Sequence, residues 1–347
     1  MNRSWWGPPV DEDQQAVLDL VDDLVAGRLV RVGDDRADEV DAARSALAEH
    51  GLWTLGADEA GGGGGADLGT TLLALARLAG TWPALAWGSV QAHAAAAVLP
   101  AAGAVGGELL DQVHAGAPVA VCAVGPDEGV ELADGRVTGG LDRLDPAGRS
   151  PHLVLLLDAD TAVVLPAGDV QFGPGIRRTG LDGALSVSAR LDVAVPAESV
   201  VRGPQVTAAR TLLAAGAAAL AAGIAETAAQ AALAYSAARV QFGAPLTALP
   251  TVRASLLAQS TTARSLLGTA LGARLDRPDV VAAALAPAFD AAIDVAAAAV
   301  QSHGGYGYMA EYLVEGLLRD LVSLRAASGA AEAARRAATA LVEQGVR

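Results

Sequence analysis

The sequence ARVQFGAPL of residues 238–246 interrupts a long Ala- and Leu-rich stretch. Its residue types could form a corner that binds a ligand. Arg239 and Gln241 bring polar donors to it, and Phe242 and Gly243 form a turn before the proline that stops the helix. Such a corner could grip a ligand or a neighbouring chain. It could also be an ordinary helix end, because an Arg close to a helix C-terminus interacts favourably with the helix dipole.

A second cluster lies in the sequence AVQSHGGYGYMAEY of residues 299–312. Gln301 ends a predicted helix, and Gly304, Gly305 and Gly307 follow in the next turn. Gly-rich backbone before a helix start exposes N–H groups with no Cβ in the way, which suits contact with a phosphate or an adenosine. The alternative is a tight loop between two helices, which accounts for one glycine more readily than for three.

The elements that must position these clusters fall into three zones. Apolar spacing predicts helices in the first zone, short β-rich runs separated by Gly, Pro and Asp predict strands in the second, and helical spacing returns in the third. We therefore predict an α+β chain with an N-terminal helical domain (1–117), a small antiparallel β domain (118–203) and a C-terminal four-helix bundle (204–347).

Within these zones, local patterns make finer predictions. The four bundle helices are expected at residues 207–238, 249–274, 279–302 and 311–325. Asp134 and Gly135 are typical of a hairpin turn. The glycine run of residues 61–65 is a loop, either a flexible linker or a close approach of the backbone to another element or a ligand.

The amino-acid composition excludes several classes of function for this chain. The chain has 347 residues, of which 52% are apolar but only 3% aromatic, so its core must consist of Ala, Leu and Val. The formal net charge of −15 argues against a nucleic-acid-binding protein, which needs a basic surface. Cys122 is the single cysteine, so no internal disulfide forms, and a cytoplasmic location fits. The N-terminus lacks a signal-peptide pattern, the uncharged run of residues 211–225 is short of a membrane span, and no metal site is predicted.

Together, the two clusters resemble motifs of the acyl-CoA dehydrogenase family. The family's Arg-x-x-Phe-Gly-x-Pro pattern matches residues 239–245, its Gln-x-x-Gly-Gly-x-Gly-Tyr pattern matches residues 301–308, and an Arg-Asp pair follows at residues 319–320. The segments EHGLWTLGADEAGGGGGADLG and FGPGIRRTGLDGALSVSARLDVAVPAESVV also resemble the family. The resemblance covers nearly the whole chain, and the order of the zones agrees with it.

The resemblance implies FAD as a cofactor shared across a subunit interface. In the family, the two clusters reach the pyrophosphate and adenosine end of the FAD that the neighbouring subunit holds. The residues that would contact this cofactor here are Arg239, Gln241, Phe242, Gly243, Gln301, Gly304, Gly305 and Gly307. The Arg239 side chain would offer its planar fork of donors to the diphosphate.

The resemblance also implies a catalytic carboxylate that is missing from its usual place. The family dehydrogenates an acyl-CoA thioester: a Glu or Asp removes the α-proton while the β-hydride passes to the flavin. Ser328 stands where that Glu usually lies, so no catalytic residue is assigned. Some members carry the base near the start of the long helix, where residues 208–216 contain no acid. Glu226, deeper in that helix, is left open as a displaced base.

The family's loop and strand that hold a chain's own flavin ring are altered as well. The matching residues 123–150 contain no Gly-Ser-Asp, and no Trp follows Trp87. This combination resembles the non-catalytic subunits of α2β2 heterotetrameric acyl-CoA dehydrogenases of actinobacterial steroid side-chain degradation. A catalytic partner subunit would then carry the Glu, the flavin ring and most of the acyl-CoA, and an electron-transfer flavoprotein would accept the electrons. Two alternatives stay open: a self-sufficient flavoenzyme with an atypical base or a non-oxidative reaction, and a scaffold or regulatory pseudo-enzyme.

Overall fold

The computed structural model describes residues 7–28, 37–124 and 129–345. Its N-terminal region is helical, as the apolar spacing predicts, with helices α1 (Glu12–Arg28), α2 (Ala37–Glu49), α3 (Leu68–Ala79), α4 (Pro83–Val98) and α5 (Gly103–His114). Asp67 caps α3 by accepting a hydrogen bond from the Thr70 N–H at 3.0 Å. Nearly every residue of α3 and α4 is buried, so these two helices form the centre of the region.

The glycine run of residues 61–65 is a closely packed loop. A Cβ on Gly63 would collide with the carbonyl oxygen of Ala57, and a Cβ on Gly64 would lie 2.6 Å from the carbonyl oxygen of Leu55. Backbone hydrogen bonds also tie the loop to the residues before it. Only residues without a Cβ let the chain double back so closely, so close backbone approach explains the run better than a flexible linker does.

Two four-stranded sheets follow, and apolar residues of both share one core, as in a sandwich. The first sheet has the order β1 (Val119–Ala123), β4 (His152–Leu156), β5 (Thr161–Leu165) and β8 (Val200–Arg202). The second has the order β2 (Glu131–Ala133), β3 (Arg136–Leu144), β7 (Val187–Ala194) and β6 (Gln171–Gly175). The α+β fold class is therefore confirmed.

The observed strand pairing agrees with the predicted hairpin turn but differs from the prediction that all strands pair antiparallel. Asp134 and Gly135 join β2 to β3 with φ angles of 49° and 71°, so the predicted hairpin is confirmed. The expectation of a purely antiparallel region is wrong for β1 and β4, which are parallel, with Val119 opposite His152. A parallel pair needs a long connection, and here it includes the hairpin of the other sheet.

Residues 204–345, the part of the C-terminal region that the structure describes, contain five helices where four were predicted. They are α6 (Pro204–Ala238), α7 (Pro250–Leu271), α8 (Pro278–His303), α9 (Leu313–Ala327) and α10 (Ala330–Gly345), of which α10 was not foreseen. Helix α6 packs against α7 and α8 on one side and against α3 and α4 on the other. Its small residues allow that approach: a Cβ on Gly223 would collide with the carbonyl oxygen of Ala76 in α3.

Two described helical segments, Pro204–Ala238 and Pro278–Tyr308, are long and apolar enough to cross a membrane by length and composition alone. The sequence-based statement that residues 211–225 are short of a membrane span concerned only the uncharged run, and the helix that contains it, predicted at residues 207–238, is longer than that run. The apolar window of the first segment is 89% buried within the fold, against 39% for the second. A helix is apolar on all its faces when apolar surroundings cover it, whether these are a protein core or a membrane. Burial within the fold therefore accounts for the apolar composition of α6.

The Arg-Asp pair of α9 fixes that helix to the β region. Asp320 is buried, and its carboxylate accepts a hydrogen bond from the Leu181 N–H at 2.7 Å. A Cβ on Gly180 would collide with the carbonyl oxygen of Arg319, so this contact requires a glycine. The contact sets the direction of α9 and thereby the place of Ser328, which caps its C-terminal end.

Candidate functional site

The Arg239 corner is a short hairpin at the end of α6. Strands β9 (Val240–Gln241) and β10 (Ala244–Pro245) pair antiparallel, and Phe242 and Gly243 form the turn with φ angles of 53° and 80°. A positive φ is uncommon for a bulky residue, and the Phe242 side chain is 91% exposed. The hairpin therefore exposes an aromatic ring to solvent. Such a ring is suited to contact with a ligand or with a neighbouring chain.

The glycines of the second cluster divide into two kinds. Gln301 is exposed on the last turn of α8, and Gly304 follows with φ 59° and ψ −137°, a combination suited to glycine. A Cβ on Gly304 or Gly305 would meet no atom within 4 Å, so both residues are open to solvent. Gly307 is buried, and a Cβ there would collide with the carbonyl oxygen of Val300. Packing explains Gly307, and its contact with a cofactor stays a prediction.

The fold brings the two clusters together. The guanidinium carbon of Arg239 lies 6.0 Å from the centroid of the Tyr306 ring. One turn before the corner, Tyr235 stacks on His303 with ring centroids 4.4 Å apart. Two helix ends that are far apart in the sequence therefore form one surface, and both of the predicted glutamines are exposed in it.

This surface carries a cation that has no carboxylate partner. In the part of the chain that the structure describes, the Arg239 guanidinium makes no ion pair and lies over the Tyr306 ring. The Arg319 guanidinium, by contrast, is paired with Glu315 at 2.7 Å. An exposed fork of donors beside open glycine backbone can bind the oxygens of a phosphate or a diphosphate.

Ser328 borders a separate cavity of about 470 Å³. The cavity lies where α4, the strands β1 and β3 of the two sheets, α6 and the end of α9 meet, and its walls include Trp87, Gln91, Val121, Cys122, Leu141, Asp142, Arg143, Leu213 and Gly329. The Ser328 hydroxyl donates to the carbonyl oxygen of Arg325 at 3.2 Å. That hydroxyl therefore caps its own helix at the place where the family resemblance implies a carboxylate.

The polar side chains around the cavity bind one another. Asp145 is buried, and its carboxylate accepts from Arg178 at 2.8 Å and from Arg143 at 3.0 Å. The Gln91 amide donates to the Asp145 carbonyl oxygen at 2.7 Å and accepts from the Val121 N–H at 3.2 Å. These contacts join α4 to both sheets, and they bind the Gln91 amide and the Asp145 carboxylate within the protein.

Sequence reasoning missed two carboxylates at this cavity. Asp142 is exposed on β3 and lines the same cavity as Ser328, and Asp145 follows at the end of that strand. Both lie in the run DRLD, which the sequence shows as a charged strand end. Only the fold reveals that this strand faces the end of α9, because the two segments are far apart in the chain.

Helix α6 brings no carboxylate to the Ser328 cavity. Near its start, Arg210 donates to the carbonyl oxygens of Leu156 at 2.7 Å and Asp158 at 2.9 Å, and burial lowers its pKa to about 10. Glu226 lies about 20 Å further along the helix than Leu213, which borders the cavity, at 1.5 Å per residue. It faces a different groove, between α6 and α7.

Two family models match the chain, and they match in order. The model for the acyl-CoA dehydrogenase N-terminal domain matches residues 11–108, and the model for the acyl-CoA dehydrogenase C-terminal domain matches residues 205–341. The second match contains both the Arg239 corner and the glycine turn. No curated protein matches the sequence.

Solved structures with the same fold include several dehydrogenases of acyl-CoA. Butyryl-CoA dehydrogenase from Megasphaera elsdenii is 23% identical over 96% of this chain and 99% of its own, with a TM-score of 0.83. Glutaryl-CoA dehydrogenase from Mycobacterium smegmatis in complex with FADH2 is 16% identical over 95% of each chain, with a TM-score of 0.81. A structure of the electron transferring flavoprotein of Acidaminococcus fermentans is 21% identical over 96% of this chain and 98% of its own, with a TM-score of 0.80. At these identities the likeness shows the fold, and the two matching family models show that the chain belongs to the acyl-CoA dehydrogenase family.

Proposed function

We propose that this chain is the non-catalytic subunit of a cytoplasmic, FAD-dependent acyl-CoA dehydrogenase, an α2β2 heterotetramer in which a catalytic partner carries the base. The proposal depends on a difference between the Arg239 surface and the Ser328 cavity. The Arg239 surface is open and its guanidinium makes no ion pair with any residue that the structure describes, whereas the cavity at Ser328 has a hydroxyl where a carboxylate is needed. The substrate is an acyl-CoA held mainly by the partner, with a steroid side-chain CoA as the proposed class, and an electron-transfer flavoprotein is the proposed acceptor.

The residues of the open surface suit the diphosphate end of FAD. The Arg239 guanidinium has no carboxylate partner within the described ranges, and Gly304 and Gly305 leave room for a ligand to contact the backbone. Phe242 offers an exposed ring for the apolar part of a ligand or of the neighbouring chain. When bound, FAD supplies the acceptor for the substrate hydride, and the part of this chain is to hold the far end of the cofactor.

The Ser328 cavity suits a flavin ring less well. A flavin ring needs hydrogen-bond partners along its polar edge. The Gln91 amide and the Asp145 carboxylate are already bound within the protein, the charge of Arg143 is paired with Asp145, and Asp142 would add a negative charge. Residues 125–128, which follow β1, lie outside the described residues. The chemistry of the described walls supports a chain that does not hold its own flavin ring.

The test is to co-express the chain with its catalytic partner and compare the wild type with Arg239→Ala. A charge-assisted contact with a diphosphate is worth about 1.5–3 kcal/mol, so the Kd for FAD should rise roughly ten- to a hundredfold. Arg190→Ala is the matched control, because Arg190 is exposed on β7 of the β region. Unchanged flavin affinity in Arg239→Ala would contradict the proposal, and a complex without any flavin would leave a scaffold role.

A second function, a self-sufficient flavoenzyme with an atypical base, is favoured by one observation. Asp142 provides a carboxylate on the wall of the Ser328 cavity. If that carboxylate removes a proton from substrate, the chain purified alone should contain flavin and oxidise an acyl-CoA, and Asp142→Asn should abolish the oxidation. A chain that is inactive alone and a complex whose turnover is unchanged by Asp142→Asn would exclude this second function.

A further inference from the structure

Four aromatic rings form a continuous cluster behind the Arg239 corner. Tyr235 and His303 are stacked with an interplanar angle of 29°, and Tyr312 meets them edge-on, at 6.1 Å from Tyr235 and 5.7 Å from His303. Tyr306 lies 5.5 Å from Tyr312. These centroid distances lie within the range in which aromatic pairs attract one another. Three of the four rings are tyrosines, and the whole chain contains only four tyrosines.

The cluster joins three parts of the fold at the point where the corner begins. Tyr235 belongs to the last turn of α6, His303 ends α8, and Tyr312 caps the start of α9. His303 is buried and is held to its own helix through the Ala299 carbonyl oxygen at 2.8 Å. The inner rings are therefore fixed by the packing of the helices.

Tyr306 is the outer member of the cluster. Its side chain is 44% exposed, and the Arg239 guanidinium carbon lies over its ring at 6.0 Å from the centroid. A cation at this distance from a ring face is attracted by the ring quadrupole. The long side chain of Arg239, which has no carboxylate partner among the described residues, is held at its tip by this ring.

We infer that the cluster positions the Arg239 guanidinium for the diphosphate of FAD, with Tyr306 as the positioning residue that contacts it. This inference rests on the proposed function of the Arg239 surface. A flexible arginine loses rotamer freedom when it binds a ligand, and a ring that restrains it beforehand reduces that loss. Tyr306 therefore raises flavin affinity through Arg239 and needs no contact of its own with the cofactor.

The experiment is a double-mutant cycle in the complex with the catalytic partner, using Arg239→Ala, Tyr306→Leu and the pair. Tyr306→Leu should weaken FAD binding about two- to fivefold, the range expected for an exposed cation–π contact. In the Arg239→Ala background, the same change should have no further effect, because the group that it positions is gone. Tyr306→Phe, which keeps the ring, should retain wild-type affinity.

The melting temperature of each complex is measured alongside, and it should change little because Tyr306 is at the surface. Equal weakening by Tyr306→Leu with and without Arg239 would overturn the inference, because the ring would then act independently of the guanidinium. So would a wild-type affinity in Tyr306→Leu when Arg239→Ala is weakened. If Arg239→Ala itself binds FAD as tightly as the wild type, the proposed function fails, which is a distinguishable result.

Discussion

Acidification from pH 7 to pH 4 is expected to destabilise this protein through one buried histidine, His93 of α4. Its Nε2 accepts a hydrogen bond from the Gly56 N–H at 3.0 Å, so the ring proton lies on Nδ1 and is donated to the Ser89 carbonyl oxygen at 2.7 Å. Burial, with a smaller contribution from the neighbouring His114, lowers the pKa of His93 from 6.5 to about 4. A second proton would face the Gly56 N–H and break that hydrogen bond.

The direction and the size of the change in unfolding free energy follow from the pKa values of His93 in the unfolded and the folded chain. Because the unfolded chain binds a proton near pH 6.5 and the folded chain only near pH 4, the stabilisation is complete above pH 6.5 and is lost as the pH falls towards 4. A difference of about 2.5 units at 1.36 kcal/mol each corresponds to about 3 kcal/mol of unfolding free energy. That is a large fraction of the total stability of most domains.

The assay is urea unfolding between pH 4 and pH 7.5 for the wild type, His93→Gln and His50→Gln. Glutamine cannot titrate, so the stability difference between the wild type and His93→Gln should shrink by about 3 kcal/mol on acidification. His50 is exposed, and His50→Gln is the control for replacing a histidine by glutamine outside the core. Parallel losses of stability in the wild type and His93→Gln would refute the reasoning, because carboxylate titration is common to both proteins.

Gly307→Ala is expected to lower stability by about 1–3 kcal/mol, because its Cβ collides with the carbonyl oxygen of Val300, whereas Gly305→Ala should keep the wild-type melting temperature and lower flavin retention in the complex. Equal melting temperatures for the two variants would contradict this division. Glu226→Gln should leave turnover of the complex nearly unchanged, and a loss of several orders of magnitude would identify Glu226 as the base. Ser328→Glu should give the isolated chain no acyl-CoA oxidation, because a base without a hydride acceptor cannot complete the reaction, and measured oxidation would contradict this.

The features that the sequence predicts well are those with a local cause. A long run without proline predicts α6, the Asp134-Gly135 pair predicts its hairpin, and the turn at Phe242 and Gly243 follows from the residues in it. Each depends on backbone preferences within a few neighbouring residues. The order of helical, β and helical regions follows from the same periodicities.

The features that the sequence does not predict depend on contacts between distant segments. The parallel pairing of β1 with β4 joins residues from Val119 to His152 across a hairpin of the other sheet, and no local pattern encodes such a partner. The meeting of Asp142 with Ser328 at one cavity has the same origin. The packing role of Gly307 has a different origin: its contact with Val300 is close in the sequence, but in the sequence Gly307 looks the same as its two exposed neighbours.

Whether this chain holds flavin only together with its partner is decided by the flavin absorption spectrum of the chain purified alone and then with its catalytic partner. Little or no flavin is expected in the chain alone, because Gln91 and Asp145 at the Ser328 cavity are already hydrogen-bonded within the protein and Asp142 brings a negative charge to its wall. Flavin is expected in the complex, held more weakly when Arg239 is replaced by alanine. Stoichiometric flavin in the isolated wild-type chain would contradict the proposed function.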